Sequence, residues 1–170
     1  SVRVDDAFMN AVNDDKDYNL IARTTGDVVE SVNAPSLFRT IAEAAWACAD
    51  PGIQYKDTIN HWHTNKNTGP ITASNPCSEF LSLDNSSCNL ASLNLMKFRK
   101  DNGTFDYGHF IKVVELVFTA MDVSISFGDF PTEKIGEVTR AFRQLGIGYT
   151  NLGALLMSSG VGYDSREGRA

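Results

Sequence analysis

Cysteine is scarce in this sequence of 170 residues, with one at each of positions 48, 77 and 88. Three thiols so widely spaced build no disulfide framework, and they point to a reducing cytoplasm. A basic excess is missing too: Lys and Arg number 15 against 21 Asp and Glu, for a net charge of −6. Affinity for a phosphate backbone needs clustered Lys and Arg. The charges here are interspersed, so no nucleic-acid partner is expected. No apolar run approaches the length of a membrane span and the first residues carry no signal-peptide pattern, so no membrane partner is expected either. Internal repeats and low-complexity linkers are absent. What remains, 42% hydrophobic and 21% charged residues, is ordinary for a soluble globular domain with a sizeable core.

Helical and strand patterns then alternate along the chain. Val4, Ala7, Phe8, Ala11 and Val12 open a helical period, and "DYNLIARTT", Gly26 and "DVVESVNA" read as two short strands around a turn. Residues 35–49 form a helix, with Pro35 in its first turn and Leu37, Phe38, Ile41, Ala44, Ala45 and Cys48 on one apolar stripe. Asp50-Pro51-Gly52 ends it, and a looser polar segment, "KDTINHWHTNKNTGP", follows. The strongest helix runs from Asp106 as N-cap to Gly128 as C-cap, with Phe110, Val113, Val114, Val117, Phe118, Met121 and Ile125 in period. Thr132 to Phe142 reads as another helix, "RQLGIGY" as a short buried strand, and "TNLGALLMSSG" as a helix ending at Gly160. Long helices with interspersed strands make the class α/β. The chain opens on Ser1 close to a helix and closes on "YDSREGRA", where Asp164 or Ser165 caps a new helix with Glu167 in its first turn. Both ends therefore read as cut, and a fragment is expected.

The chemistry-bearing residues concentrate at 74–80, "SNPCSEF". Asn75, Cys77 and Glu79 occupy alternate positions. Pro76 fixes its own φ and drives Asn75 out of the helical region, which makes the segment stiff. Fully extended, Asn75 and Glu79 would stand roughly 13 Å apart at about 3.3 Å per residue, too far to serve one reacting centre. A curled loop is expected instead, presenting a thiol between an amide and a carboxylate. Such a trio can bind a polar group, move a proton and carry covalent or radical chemistry. The alternative is a turn whose polar residues cap the backbone around an incidental cysteine.

The other candidates are weaker. Cys88 follows eleven residues after Cys77, a spacing that matches no usual zinc pattern; a buried structural thiol is the alternative to a reactive one. Cys48, on its helix stripe, reads as buried and structural. His61-x-His63 has no matching carboxylate or cysteine nearby and reads as a polar loop pair, so no metal site is expected. "LGIGYTNLG" spaces its glycines unlike a dinucleotide fingerprint and lacks the acidic ribose partner.

The run "NPCSEFLSLDNSSCNLASLNL" closely resembles the active-site segment of class II, adenosylcobalamin-dependent ribonucleotide reductases. "AWACADPGIQYKDTIN" upstream is similar to that family's helix–DPG–loop approach, and "RQLGIGYTNLGALLMSSGVGYDS" downstream to its following strand and helix. The resemblance spans nearly all of residues 1–170. In class I enzymes the second cysteine comes considerably later. Ser78 departs from the pattern, since many relatives have glycine there.

The resemblance implies part of a ten-stranded α/β barrel, incomplete at both ends, with 1–170 a single fragment of the barrel domain and a finger loop around 74–80. It implies radical reduction of ribonucleotides, diphosphates being expected, to 2′-deoxyribonucleotides. Cys77 would be the thiyl-radical cysteine, Glu79 the base on the 3′ hydroxyl, and Asn75 a hydrogen-bonding partner of the sugar. Ser78 would join these three in lining the substrate site, and Cys88 would be half of the reducing dithiol. The implied cofactor is adenosylcobalamin. The implied partners are the ribonucleotide, the remainder of the barrel, a thioredoxin-type reductant and, as one form of assembly, a second copy in a homodimer. The partner cysteine of Cys88 matches none of the three present, so the isolated chain is expected to be inactive. Two alternatives stay open: a class I large-subunit fragment, and a non-catalytic split-gene or splicing-derived piece, the adjacent nucleophiles Cys77 and Ser78 being of the kind at which protein splicing joins chains.

Overall fold

In the computed structural model, which describes residues 1–170, Asp5 starts the first helix, its carboxylate accepting the Phe8 N–H at 2.9 Å. That helix, α1 (Asp6–Asn13), buries Phe8 and Ala11 against Val4 and Ala34, with Tyr18, Phe38 and Ile53 packed around them. This cluster is the core of the first of two compact units, Ser1–Asp84 and Asn85–Ala170.

Within the first unit, β1 (Val2–Val4) lies parallel to β4 (Ile53–Tyr55), pairing Val2 with Ile53, Arg3 with Gln54 and Val4 with Tyr55. The expected hairpin is present as β2 (Asp17–Ile21) and β3 (Val28–Asn33), antiparallel, with Gly26 at φ +80° in the turn. The helix α2 (Ala34–Cys48) is capped by Asn33, whose side chain accepts from the Ser36 N–H, and ends at Ala49 in the left-handed region.

Two expectations for this unit need correction. Cys48 is exposed rather than buried. At about 1.5 Å per residue, α1 is roughly 12 Å long and α2 roughly 22 Å, so α1 covers the Phe38 end of the stripe and leaves the last turn bare. The polar segment after Tyr55 is not a loose loop but helix α3 (Lys56–Trp62) followed by a 3₁₀ turn at Lys66–Thr68. Instead of an apolar stripe, the Asn60 carboxamide anchors α3, bonding both the N–H and the C=O of Ile71.

In the second unit β5 (Cys88–Asn94) pairs parallel with β6 (Gln144–Thr150), from Cys88 opposite Gln144 to Asn94 opposite Thr150. Parallel neighbours need a long crossover, supplied here by a 3₁₀ turn at Leu95–Phe98, α4 (Tyr107–Phe127) and α5 (Glu133–Phe142). The caps are those the sequence announces: Asp106 accepts the His109 N–H at 3.0 Å, and Thr132 accepts the Ile135 N–H at 3.3 Å. On α4, Met121 and Ile125 are buried, whereas Phe118 is half exposed. Arg143, left-handed at the end of α5, turns the chain into β6 and pairs with Asp122 at 2.7 Å.

The strand β6 is half-buried rather than buried, with Tyr149 and Thr150 exposed, because β5 is its only neighbour. Gly146 leaves room for a neighbour: a Cβ there would fall 2.6 Å from the Leu90 side chain. Helix α6 (Leu152–Ser158) follows, and Ser165, not Asp164, caps the terminal turn α7 (Arg166–Arg169). The three sheets have two strands each and none closes into a barrel. No helix is long and apolar enough to cross a membrane.

Candidate active site

Within the first unit, the segment between Thr72 and Asp84 is a closed excursion. At its base the Asp84 carboxylate accepts the Thr72 N–H at 3.1 Å and the Thr72 hydroxyl at 2.5 Å, and Ile71 and Leu83 beside it are buried. Higher up, Asn75 and Phe80 close a neck. The Asn75 N–H donates to the Phe80 C=O at 3.2 Å, and the Phe80 N–H donates to Asn75 Oδ1 at 3.0 Å. Across the tip, the Ser78 N–H reaches back to the Asn75 C=O at 3.1 Å. The loop is therefore curled, as expected, and Pro76, Cys77 and Ser78 form its turn.

This geometry leaves three chemically capable groups without a partner inside the chain. Cys77 is exposed at the tip with no hydrogen bond to its thiol. Glu79 is exposed, and its carboxylate accepts no hydrogen bond or ion pair. Asn75 is half-buried; its Oδ1 is committed to Phe80, which leaves the two Nδ2 donors free. An exposed thiol, a free carboxylate and an amide donor of fixed orientation thus share one six-residue turn.

Ser78 has φ +63°. A residue with a Cβ in that region gives up roughly 1–2 kcal/mol relative to a right-handed conformation, whereas glycine does not. Here the Ser78 hydroxyl is held by Gln54 Nε2 at 3.1 Å, with the hydroxyls of Ser74 and Ser1 each 3.3 Å away.

Cys88 belongs to the second unit, as the first residue of β5. It is half-buried, and burial pushes its thiol above the ordinary cysteine range. The site residues therefore fall into two groups, Asn75, Cys77, Ser78 and Glu79 on one loop and Cys88 at a strand start. The histidines are not a loop pair. His61 lies in α3, where its ring meets Trp62 edge to face. His63 is buried, with Nε2 bonded to the Gly69 C=O at 3.1 Å and Nδ1 accepting the Asn65 N–H at 3.3 Å. Both ring nitrogens are occupied within the fold. Gln54, which the sequence reading passed over, is the buried polar residue nearest the loop chemistry. Its only sequence signal is a polar side chain in a short run between Ile53 and Tyr55.

Across residues 1–170 the sequence matches the family model described as ribonucleotide reductase, barrel domain, and the chain belongs to that family. Among curated relatives, a vitamin B12-dependent ribonucleotide reductase of Streptomyces avermitilis is 67% identical over 174 aligned residues, covering 100% of this chain and 18% of the relative. One of Agrobacterium fabrum is 47% identical, covering 100% of this chain and 13% of the relative. A vitamin B12-dependent ribonucleoside-diphosphate reductase of Mycobacterium tuberculosis is 38% identical over 98% of this chain and 24% of the relative. The chain thus spans about a fifth of the length of the Streptomyces relative.

Proposed function

We propose that residues 1–170 are the part of an adenosylcobalamin-dependent ribonucleotide reductase that carries the radical thiol, and that both units belong to one barrel domain. The observation that carries this reading is the 75–80 turn, which carries a thiol, a carboxylate and an amide donor within six residues, none of them bonded within the fold.

Cys77, as a thiyl radical, takes the hydrogen from C3′ of the ribose, so a C–H bond breaks and an S–H bond forms. Glu79 accepts the proton of the 3′ hydroxyl, and the 2′ hydroxyl leaves as water after gaining a proton. Asn75 holds the sugar through its free Nδ2 donors. Cys88 and a second cysteine supply two electrons and two protons and become a disulfide, after which Cys77 returns its hydrogen to C3′. The sum is ribonucleotide plus dithiol giving deoxyribonucleotide, disulfide and water. A stiff, pre-positioned set of groups is what such chemistry requires of a protein, while a cofactor supplies the reactive species.

Adenosylcobalamin is the cofactor proposed for the complete enzyme, following the relatives' names. No residue of this chain is assigned to hold it. The clefts beside α3, about 450 and 380 Å³, are of the size that suits drug-sized ligands, at about 300–1,000 Å³, and a corrin with its two nucleoside arms is larger. The chemistry of this chain's own residues accordingly starts from the Cys77 radical. A diphosphate substrate is proposed because the Mycobacterium relative is named for one. A thioredoxin-type reductant, a homodimer and a cytoplasmic location complete the proposal. The isolated chain is expected to give no turnover, because Cys48, on the exposed end of α2, and Cys77 are its only thiols besides Cys88.

The test is ribonucleotide reduction by the full reading frame, with and without adenosylcobalamin, alongside Cys77→Ala. Cobalamin-dependent product that vanishes in the variant is expected. Activity that needs a second protein instead of cobalamin would move the assignment to a class I enzyme, and activity retained by Cys77→Ala would remove the radical role.

A further inference from the structure

Gln54 is 7% exposed, yet every polar hydrogen and the carbonyl of its side chain are bonded. Its Oε1 accepts from Arg3 Nη2 at 2.9 Å, and its Nε2 donates to Ser74 Oγ at 2.7 Å and to Ser78 Oγ at 3.1 Å. Ser74 passes the connection on, donating its hydroxyl to the Asn75 C=O at 2.7 Å. Arg3 extends it the other way, with Nη1 on the Ile71 C=O at 2.8 Å. The polarity of this chain is fixed from end to end. Arginine only donates, so the amide oxygen must face it and the amide nitrogen must face the two serines. Ser74 then accepts from Gln54 and donates to Asn75.

We propose that Gln54, acting through the hydroxyls of Ser74 and Ser78, is a positioning residue that holds the Cys77 turn in its reactive shape. The proposal rests on the reductase reading given above. The two residues on either side of Pro76-Cys77 are both gripped by one side chain: Asn75 through Ser74, and Ser78 directly. Ser78 adopts φ +63° without being glycine, and its hydroxyl contacts are what hold it there. In this chain the side-chain latch does the work that conformational freedom does where glycine occupies the position.

The test uses the full-length enzyme with Gln54→Met, Ser78→Ala, Ser78→Gly and the Gln54→Met/Ser78→Ala double variant. Misplacement of a reacting group by about 1 Å costs on the order of 100-fold in rate. The expected result is a 10- to 100-fold fall in kcat for Gln54→Met and for Ser78→Ala, with KM for the ribonucleotide changed less than about threefold. Because both lose the same bond, the double variant is expected to be little worse than the worse single variant, which is non-additivity between residues in contact. Amide hydrogen exchange supplies a readout independent of turnover. Protection of the Ser78 and Phe80 N–H groups should fall in Gln54→Met while the amides of β1 and β4 keep theirs. Ser78→Gly, which reaches φ +63° without a latch, is expected to keep kcat closer to the wild type than Ser78→Ala does. Unchanged kcat in Gln54→Met, a kcat for Ser78→Gly as low as that of Ser78→Ala, additive losses in the double variant, or protection lost throughout the first unit would each overturn the latch. If the wild-type enzyme reduces no ribonucleotide, the reductase reading fails by itself, and the exchange experiment still decides whether Gln54 holds the loop.

Discussion

Ser87 bonds twice to Thr139: its backbone N–H and its hydroxyl both lie 3.1 Å from Thr139 Oγ1. Thr139 is 1% exposed, the largest fully buried side chain in the molecule. The residue immediately before Cys88 is thus pinned to the inner face of α5, which sets where β5 begins. Thr139→Val keeps the shape of the side chain and removes the acceptor. It is expected to cost the second unit about 1–3 kcal/mol, the range for stranding a buried donor, whereas Thr139→Ser should cost less. Urea unfolding at an unchanged m-value measures the difference.

The three cysteines should separate by reactivity. Cys48 and Cys77 are exposed, whereas Cys88 is half-buried and burial raises its thiol pKa. A raised thiol pKa means less thiolate, the reactive form, at any given pH. In an iodoacetamide time course at pH 8 followed by mass spectrometry, Cys48 and Cys77 are expected to label first. The Cys88 rate should keep climbing at pH values where an ordinary thiol has levelled off. Equal rates for all three would contradict the burial of Cys88.

Asp106 caps α4, and the hydrogen bond from the His109 N–H, with Lys100 beside it, holds its carboxyl below the ordinary value of 3.8. The carboxylate is favoured in the folded state, so its contribution to stability is present above that value and is lost as the pH falls through the lower, folded one. The Arg143 hydrogen bond lowers Asp122 in the same direction. Acid unfolding of the wild type should therefore steepen below about pH 4. Asp106→Asn, which keeps a capping oxygen but has no charge to lose, should flatten part of that slope.

Tyr18 behaves in the opposite sense. Burial, and then the adjacent Asp5 carboxylate, which accepts its hydroxyl at 3.2 Å, push the phenol above 10.0. Folding favours the neutral phenol, so this stabilisation is complete below pH 10 and is lost as the pH rises beyond it. Tyr18→Phe keeps the edge-on contact with Phe8 at 5.2 Å and removes the hydroxyl. It is expected to cost about 1 kcal/mol at neutral pH and to remove the alkaline loss, as thermal melts at pH 7 and pH 10.5 would show.

Much of this molecule was legible in the sequence where the signal is local. Asp106, the 3.6-residue period and Gly128 bracket α4 because cap, stripe and stop lie within one stretch of chain. Thr132 does the same for α5, and the stiff, non-helical run around Pro76 marks the 75–80 loop. What escaped notice is what distant residues decide. The pair β1–β4 consists of three-residue strands, too short to carry a pattern of their own. Helix α3 is held by Asn60 on Ile71 rather than by an apolar face, and the Cys48 stripe outruns the shorter helix α1 that packs on it. Gln54 reaches Ser74 and Ser78 across 20 and 24 positions of sequence, and no spacing rule connects them.

That same pairing of β1 with β4 has a bearing on the order in which the chain acquires its shape. Joining Val2 to Ile53 closes a loop of 51 residues, an entropic cost of roughly 3.5 kcal/mol by the logarithmic rule for flexible loops. Three residue pairs do not repay that alone, so α1, α2 and the β2–β3 hairpin, whose contacts are local, must condense first and bring the two strands together. The turn bearing Cys77 hangs from the last of these contacts to form. During folding the Cys77 thiol is present before its setting is, and it spends that interval as an ordinary, oxidisable side chain.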